Sequence, residues 1–250
     1  MRKNLRVFDH VTIRVSDRAA TEPLYVTVLQ VLGIEQSHSD EYYAEWNDFG
    51  LSEATKEKPA TRGLHIGFRA PSREHVDEFW RVGLEAGLRN DGEPGARPQY
   101  SGDYYGAFLR DPDGNSVEAV HHGSMNTPGW VDHLWIRVAD LEASKRFYEE
   151  VGSHAGFRLR GERRDRATFS GGSGSFSVVH DRLPVTENLH MAFPVGENVA
   201  VDQFHRALTA AGYRDNGPPG ERPVYHEGYY GAFVLDPDGN NVELVNHNRS

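Results

Sequence analysis

The chain has 250 residues, no cysteine and a formal net charge of −10. The missing thiols exclude disulfides, thiolate zinc sites and cysteine nucleophiles, and the acidic balance argues against sequence-independent binding to nucleic acid or an anionic membrane. No stretch approaches the roughly 18 apolar residues of a spanning helix, and Met1-Arg2-Lys3-Asn4 runs straight into a strand-like segment, so a soluble cytoplasmic protein is expected.

Phe8 to Val15 alternates like a strand, with Val11, Ile13 and Val15 on one face and His10, Thr12 and Arg14 on the other. A helix follows; Pro23 belongs in a first turn, which predicts Thr21 as the N-cap. Leu64 to Phe68 is a second strand, with His65 opposite Ile66 and Phe68. Ser72 to Ala86 reads as a helix capped by Ser72 and stopped by Gly87. A Pro/Gly-rich loop carrying Arg97 leads to Tyr104-Tyr105-Gly106-Ala107-Phe108. A hairpin then turns on Asp111-Pro112-Asp113-Gly114-Asn115, beyond which Glu118 stands opposite Val117 and Ala119.

After a short Gly/Ser/Asn/Pro linker the chain repeats itself. Val131 to Val138 carries His133, Asp140 to Val151 is helical, and Leu189 to Val195 carries His190. Glu197 to Ala211 is a helix stopped by Gly212. Arg222 leads to Tyr229-Tyr230-Gly231-Ala232-Phe233, Asp236-Pro237-Asp238-Gly239-Asn240 and Glu243. His190 and Glu243 lie 125 residues after His65 and Glu118, and His133 lies 123 after His10. The reading is a first domain over 1–122, a linker over 123–130 and a second domain over 131–250. Each domain divides into two strand–helix–strands units, an α+β protein with strongly curved mixed sheets.

Strand parity sends His10, His65 and Glu118, and then His133, His190 and Glu243, to the face opposite the apolar stripe. Two neutral imidazoles and a carboxylate with open positions suit a catalytic divalent metal: Fe(II), Mn, Zn, Ni or Co.

Asp9-His10-Val11, Leu64-His65-Ile66-Gly67-Phe68 and Asp111 through Glu118, each with its second copy, resemble the vicinal oxygen chelate superfamily. That superfamily includes glyoxalase I, extradiol dioxygenases, fosfomycin-inactivating thiol transferases and bleomycin-resistance proteins. The resemblance implies tandem domains built from four βαβββ modules, which pair into cups that hold a metal. Its ligands come from first and last strands, hence the six residues above. Pairing within each half would unite His10, His65 and Glu118; exchanged pairing would bring His10 to His190 and Glu243, and His133 to His65 and Glu118. The chain is then a monomer imitating a dimer, or a homodimer.

The resemblance implies a metal-dependent enzyme of the glyoxalase or dioxygenase type, acting on a small substrate that chelates the metal through oxygen atoms. The alternative is a drug-sequestering protein without catalysis. Glyoxalase I would add a fourth protein ligand, a place Glu53 could take, although the residue 125 positions later is Val178. Extradiol enzymes would place tyrosine where Phe108 and Phe233 stand. His226, replaced by Ser101 in the first half, is a candidate acid or base, with Tyr229 as a catalytic partner, and it marks the second copy as the more active one. Arg97, Arg222, Tyr105, Tyr230 and Trp135 are substrate-binding candidates, and Trp46 a pocket residue.

Overall fold

The structure, a computed structural model, describes residues 6–123 and 129–248. Met1 to Asn4 and most of the 123–130 linker, residues 124–128, lie outside the described residues. The first module comprises β1 (His10–Val15), α1 (Arg18–Val31), β2 (His38–Ser39), β3 (Tyr43–Trp46) and β4 (Phe49–Glu53). The second comprises β5 (His65–Arg69), α2 (Arg73–Ala86), β6 (Arg89–Ala96), β7 (Tyr105–Arg110) and β8 (Ser116–His121). The third comprises β9 (Val131–Arg137), α3 (Leu141–Ala155), β10 (Arg158–Arg163), β11 (Arg166–Ser170) and β12 (Ser175–Val179). The fourth comprises β13 (His190–Pro194), α4 (Asn198–Ala210), β14 (Asp215–Glu221), β15 (Tyr230–Leu235) and β16 (Asn241–Asn246).

In every module the first strand pairs parallel with the last, and the remaining strands add antiparallel outward. The modules then join along their first strands. β1 pairs antiparallel with β13, giving the eight-stranded order β14-β15-β16-β13-β1-β4-β3-β2. β5 pairs antiparallel with β9, giving β10-β11-β12-β9-β5-β8-β7-β6. The halves 1–122 and 131–250 are repeats in sequence, whereas each sheet takes one module from each half. The sheet of the first and fourth modules forms the outer cup; that of the second and third forms the inner cup.

Parity decides which face does what. Val11, Ile13 and Val15 of β1 are fully buried, while His10, Thr12 and Arg14 between them are half-buried. The apolar faces of both sheets and the four helices share one continuous core, with α1 against α2 and α3 against α4. The polar faces are left to line the cups. Trp46 belongs to the core rather than to a pocket: it is fully buried with its ring against Tyr25 and Phe49. It has the same parity as Ala44, whose side chain also faces the helices.

α1 starts earlier than Pro23 suggests. Asp17 is the N-cap, its carboxylate accepting from Ala20 N at 3.0 Å, and Pro23 lies inside the helix. The turn tolerates the lost backbone bond because Thr21, Tyr25, Val28 and Leu29 around it are buried against the core. α2 stops at Gly87 (φ 110°) as the sequence indicates, but Ser72 occupies the N-cap position without a capping bond, its hydroxyl turning to the Glu74 carboxylate instead. α3 continues past Val151 to Ala155, where Gly156 adopts a left-handed conformation (φ 84°) and stops it. No helix among the described residues is long and apolar enough to cross a membrane.

Candidate metal centres

The two seams bring distant histidines together. In the inner cup, His65 Nε2 lies 3.0 Å from Glu118 Oε2 and 3.1 Å from His133 Nε2, and His133 Nε2 lies 3.2 Å from the same carboxylate oxygen. In the outer cup, His10 Nε2 is 3.1 Å from His190 Nε2, which is 3.2 Å from Glu243 Oε2; the His10–Glu243 separation is 3.8 Å. Ligand bonds of about 2.1 Å at near-octahedral or tetrahedral angles place donor atoms about 3.0–3.4 Å apart, so the inner trio has the spacing of one face around an ion. Each trio is a group of His and Glu donors able to hold a metal, and of the two pairings open to the sequence it is the exchanged one.

The outward nitrogens are committed elsewhere. His133 Nδ1 donates to Asp132 at 3.0 Å, and His65 Nδ1 is hydrogen-bonded to Ser116 Oγ at 3.1 Å. His10 Nδ1 likewise donates to Asp9 at 3.0 Å, and His190 Nδ1 meets the Asn241 amide at 2.7 Å. His133 and His10, whose Nδ1 donates to a carboxylate, can aim an Nε2 lone pair at the shared carboxylate oxygen. Two imidazole nitrogens and a carboxylate oxygen this close in a largely buried gap require a cation or a proton between them. The titration behaviour follows from this. Burial depresses the charged form of His133, but Asp132 and Glu118 outweigh it and push its pKa up to about 10. Burial works to raise Glu118, yet hydrogen bonds from His133 and His65 hold it down at about 2. His65 and His190 are lowered, chiefly by burial. His10 is raised: burial opposes, but the Asp9 bond and the Glu243 charge prevail.

Each carboxylate is fixed by a tyrosine. Tyr104 donates to Glu118 Oε1 and Tyr229 to Glu243 Oε1, both at 2.7 Å, leaving Oε2 for the histidines. The glycine of the Tyr-Tyr-Gly motif makes room for this arrangement: a Cβ on Gly106 would stand 2.5 Å from Glu118 Oε1, and one on Gly231 2.6 Å from Glu243 Oε1.

A fourth ligand place is defined by the two-fold relation within each cup. Glu243 sits beside Ala192, two residues beyond His190; the equivalent place beside Thr12, two beyond His10, is Gly50. A Cβ on Gly50 would overlap the Tyr43 hydroxyl. In the inner cup the place beside Trp135 is Ser177, which bonds Thr168 at 2.8 Å. Glu53 lies elsewhere: exposed, it accepts from Arg18 N at 3.1 Å at the start of α1. Its counterpart is His180, since Ser52 beside Arg14 matches Val179 beside Arg137. The β11–β12 connection is longer than the β3–β4 turn, which shifts the offset away from 125.

Two aromatic candidates face the wrong way for substrate. Tyr105 and Tyr230 share parity with Ala107 and Ala232 on the helix face, where their hydroxyls donate to Asp77 and Asp202 at 2.8 Å. Arg97 and Arg222 spend their guanidinium hydrogens on the carbonyls of Glu93 and Pro218, both at 2.6 Å, and cover Phe108 and Phe233. Those two rings in turn lie 5.8 Å from His65 and 6.2 Å from His190. Trp135 does reach the site, its ring 5.9 Å from His65.

The inner trio opens into a cavity of about 770 Å³ whose wall includes Tyr100, Phe108, His122, Trp135 and Ser177. His122 is a residue that the sequence reasoning passed over, although it recurs 125 positions later as His247. Its Nε2 is 3.1 Å from both Asp132 oxygens, its ring stacks on Tyr104 at 5.6 Å, and Asp132 raises its pKa. His247 plays the same part in the outer cup, bonding Asp9 at 2.9 Å, and His226 lies behind it at 2.8 Å. His226 is therefore two bonded groups removed from His10.

Sheets of this topology, joined along their first strands around paired His and Glu donors, define a class as well as a site. The model of the Glyoxalase/Bleomycin resistance protein/Dioxygenase superfamily matches residues 7–119 and 130–244, and the chain belongs to that superfamily. The uncharacterized protein YqjT of Bacillus subtilis is 29% identical over 122 residues, which cover 45% of this chain and 95% of that protein. Glyoxalase I from Zea mays has a TM-score of 0.69 at 19% identity, covering 97% of this chain and 92% of its own. A putative dioxygenase from Bacillus subtilis has a TM-score of 0.66 at 12% identity, covering 99% and 87%. At these identities the likeness of the two structures is one of fold.

Proposed function

We propose that the protein is a metal-dependent enzyme of the glyoxalase or dioxygenase type, acting on a small molecule that presents adjacent oxygen atoms. The observation that carries this reading is the convergence of two imidazole nitrogens and a carboxylate oxygen in each cup, with the other ring nitrogens bonded to neighbouring residues. His65, Glu118 and His133 would hold a divalent ion in the inner cup, and His10, His190 and Glu243 in the outer. Such an ion supplies Lewis acidity, drawing charge from substrate oxygens.

The chain's own groups do the rest. Asp132 keeps the proton on His133 Nδ1 and so aims Nε2 inward, and Tyr104 stops Glu118 from rotating. Gly50 and Ser177 leave the fourth protein position without a charged donor, which keeps coordination places for substrate. Phe108, Tyr100 and Trp135 supply an aromatic lining to the cavity. His122, with its Nε2 anchored on Asp132, is the wall group placed to exchange a proton with bound substrate. Because the 770 Å³ cavity serves the trio whose loop carries Ser101, we take the inner cup as the principal site, in place of the copy that carries His226. His226 then serves as the outer end of the His10–Asp9–His247 chain.

The test is turnover of oxygen-chelating compounds by metal-loaded protein under air and under nitrogen, alongside Glu118→Gln. The reading expects turnover that chelation and Glu118→Gln both abolish, with oxygen dependence separating dioxygenation from isomerisation. Metal-free protein that turns over unchanged would refute it.

A further inference from the structure

Five arginines stand in the wall of the inner cavity, in a chain whose net charge is −10. Three are neutralised in place: Arg62 by Asp113 at 3.3 Å, Arg110 by Asp91, and Arg137 by Asp181 at 3.1 Å. The other two, Arg163 and Arg166, have no ion pair among the described residues. They are directly opposed across the β10–β11 hairpin, flanking the two-residue turn Arg164-Asp165. Like charges in directly opposed positions destabilise a strand pair, so this hairpin is arranged at a cost to itself.

Their position relative to the trio is specific. The Arg166 guanidinium lies 4.9 Å from the centre of the Trp135 ring, and the centre of that indole lies 5.9 Å from that of the His65 ring. The cationic pair is thus one aromatic ring away from the proposed metal. Among the described residues the outer cup has no such opposed arginine pair. Asp40 and Tyr43 flank the corresponding turn Glu41-Tyr42, and Thr12 replaces Trp135.

We propose that the inner cup binds an anionic small molecule, whose carboxylate or phosphate is held by Arg163 and Arg166 while its body lies along Trp135 towards His65, Glu118 and His133. This rests on reading the cavity as the substrate site and adds the charge class of the substrate. A planar guanidinium pair matches the paired oxygens of either anion, and the stacked indole fixes one of the two forks.

The experiment compares 3,4-dihydroxybenzoate with catechol, two chelators that differ by one carboxylate, binding to the full chain by calorimetry and tryptophan fluorescence. Both metal-free and cobalt-loaded protein are titrated. The wild type should prefer the carboxylate-bearing probe about tenfold or more, the scale of one charge-assisted hydrogen bond, and the preference should weaken with salt. R163Q/R166Q should lose that preference while keeping its affinity for catechol and its far-ultraviolet dichroism. R158Q/R160Q removes the same charge from the same hairpin at exposed positions outside the cavity wall, and should keep the preference. Equal binding of the two probes by the wild type, a preference that survives in R163Q/R166Q, or an equal loss in R158Q/R160Q would each overturn the proposal. A carboxylate preference that persists in a chain unable to take up cobalt would support the anion site and count against the metal reading alone.

Discussion

Replacing Asp132 by asparagine should change how metal binding depends on pH as well as how strong it is. Asp132 accepts from His133 Nδ1 at 3.0 Å, from His122 at 3.1 Å and from Arg69 at 3.1 Å, so its charge both orients His133 and holds a proton on that ring. Loss of such an outer partner typically weakens metal binding about 10–100-fold, or roughly 1.4–2.8 kcal/mol. The second effect has the opposite sign at low pH. With its pKa pushed up to about 10, His133 is protonated at pH 7 in the metal-free protein, and an ion must displace that proton. Three pH units of competition cost roughly 4 kcal/mol. Affinity in the wild type should therefore climb about tenfold per pH unit from 7 towards 10, with one proton released per ion.

In Asp132→Asn the His133 pKa falls, so the climb ends at lower pH. The deficit of the variant should be largest near pH 10 and should shrink towards pH 7. In the absence of metal the same raised pKa contributes stability that is complete below the unfolded value near 6.5 and lost as pH rises through about 10. The assay is competition for zinc with a chromophoric chelator from pH 6.5 to 10, in a Glu243→Gln background so that only the inner site reports. A wild-type affinity flat across this range, or parallel curves for the two proteins, would refute the reasoning.

Tyr104→Phe, which frees Glu118 Oε1, should lower metal affinity at the inner site about 10–100-fold with little change in melting temperature, measured by the same competition and by calorimetry. Gly67→Ala puts a Cβ into the His133 ring; the inner site should lose its metal at a stability cost of about 1–3 kcal/mol, while the outer site keeps its own. Trp46→Ala should cost about 3–5 kcal/mol in denaturant unfolding and leave metal content unchanged, because the ring fills core and touches neither trio.

Much of the site was legible because its residues obey the simplest periodicity in proteins. His10, His65, Glu118 and their copies alternate with buried aliphatics, and that alternation alone puts them on the face opposite the core. The duplication then showed which polar residues travel together. The partners across each seam were beyond reach, since β1 meeting β13 rather than β5 is settled by contacts between strands 180 residues apart (His10 with His190), not by local pattern. A constant offset misled at Glu53, where the longer β11–β12 connection changes the register and makes His180 the true counterpart. Tyr105 and Tyr230 were misplaced for lack of the parity test that served the histidines; applied to them, it sends both to the helices. Pro23 shows tertiary packing overruling a local rule, since burial of its neighbours holds α1 together through the missing bond. His122 and His247 were visible as a repeat, but what marks them as functional is their bond to Asp132 and Asp9, and only folding supplies it.

If each of the two metal sites is assembled from both halves of the chain, paired histidine variants lose metal in a pattern that pairing within the halves would not give. Elemental analysis should find two equivalents in the wild type, one in His65→Ala/His133→Ala, whose losses fall in the same cup, and none in His10→Ala/His65→Ala, which damages both. One equivalent remaining in His10→Ala/His65→Ala, or none bound by the wild type, would contradict that assembly.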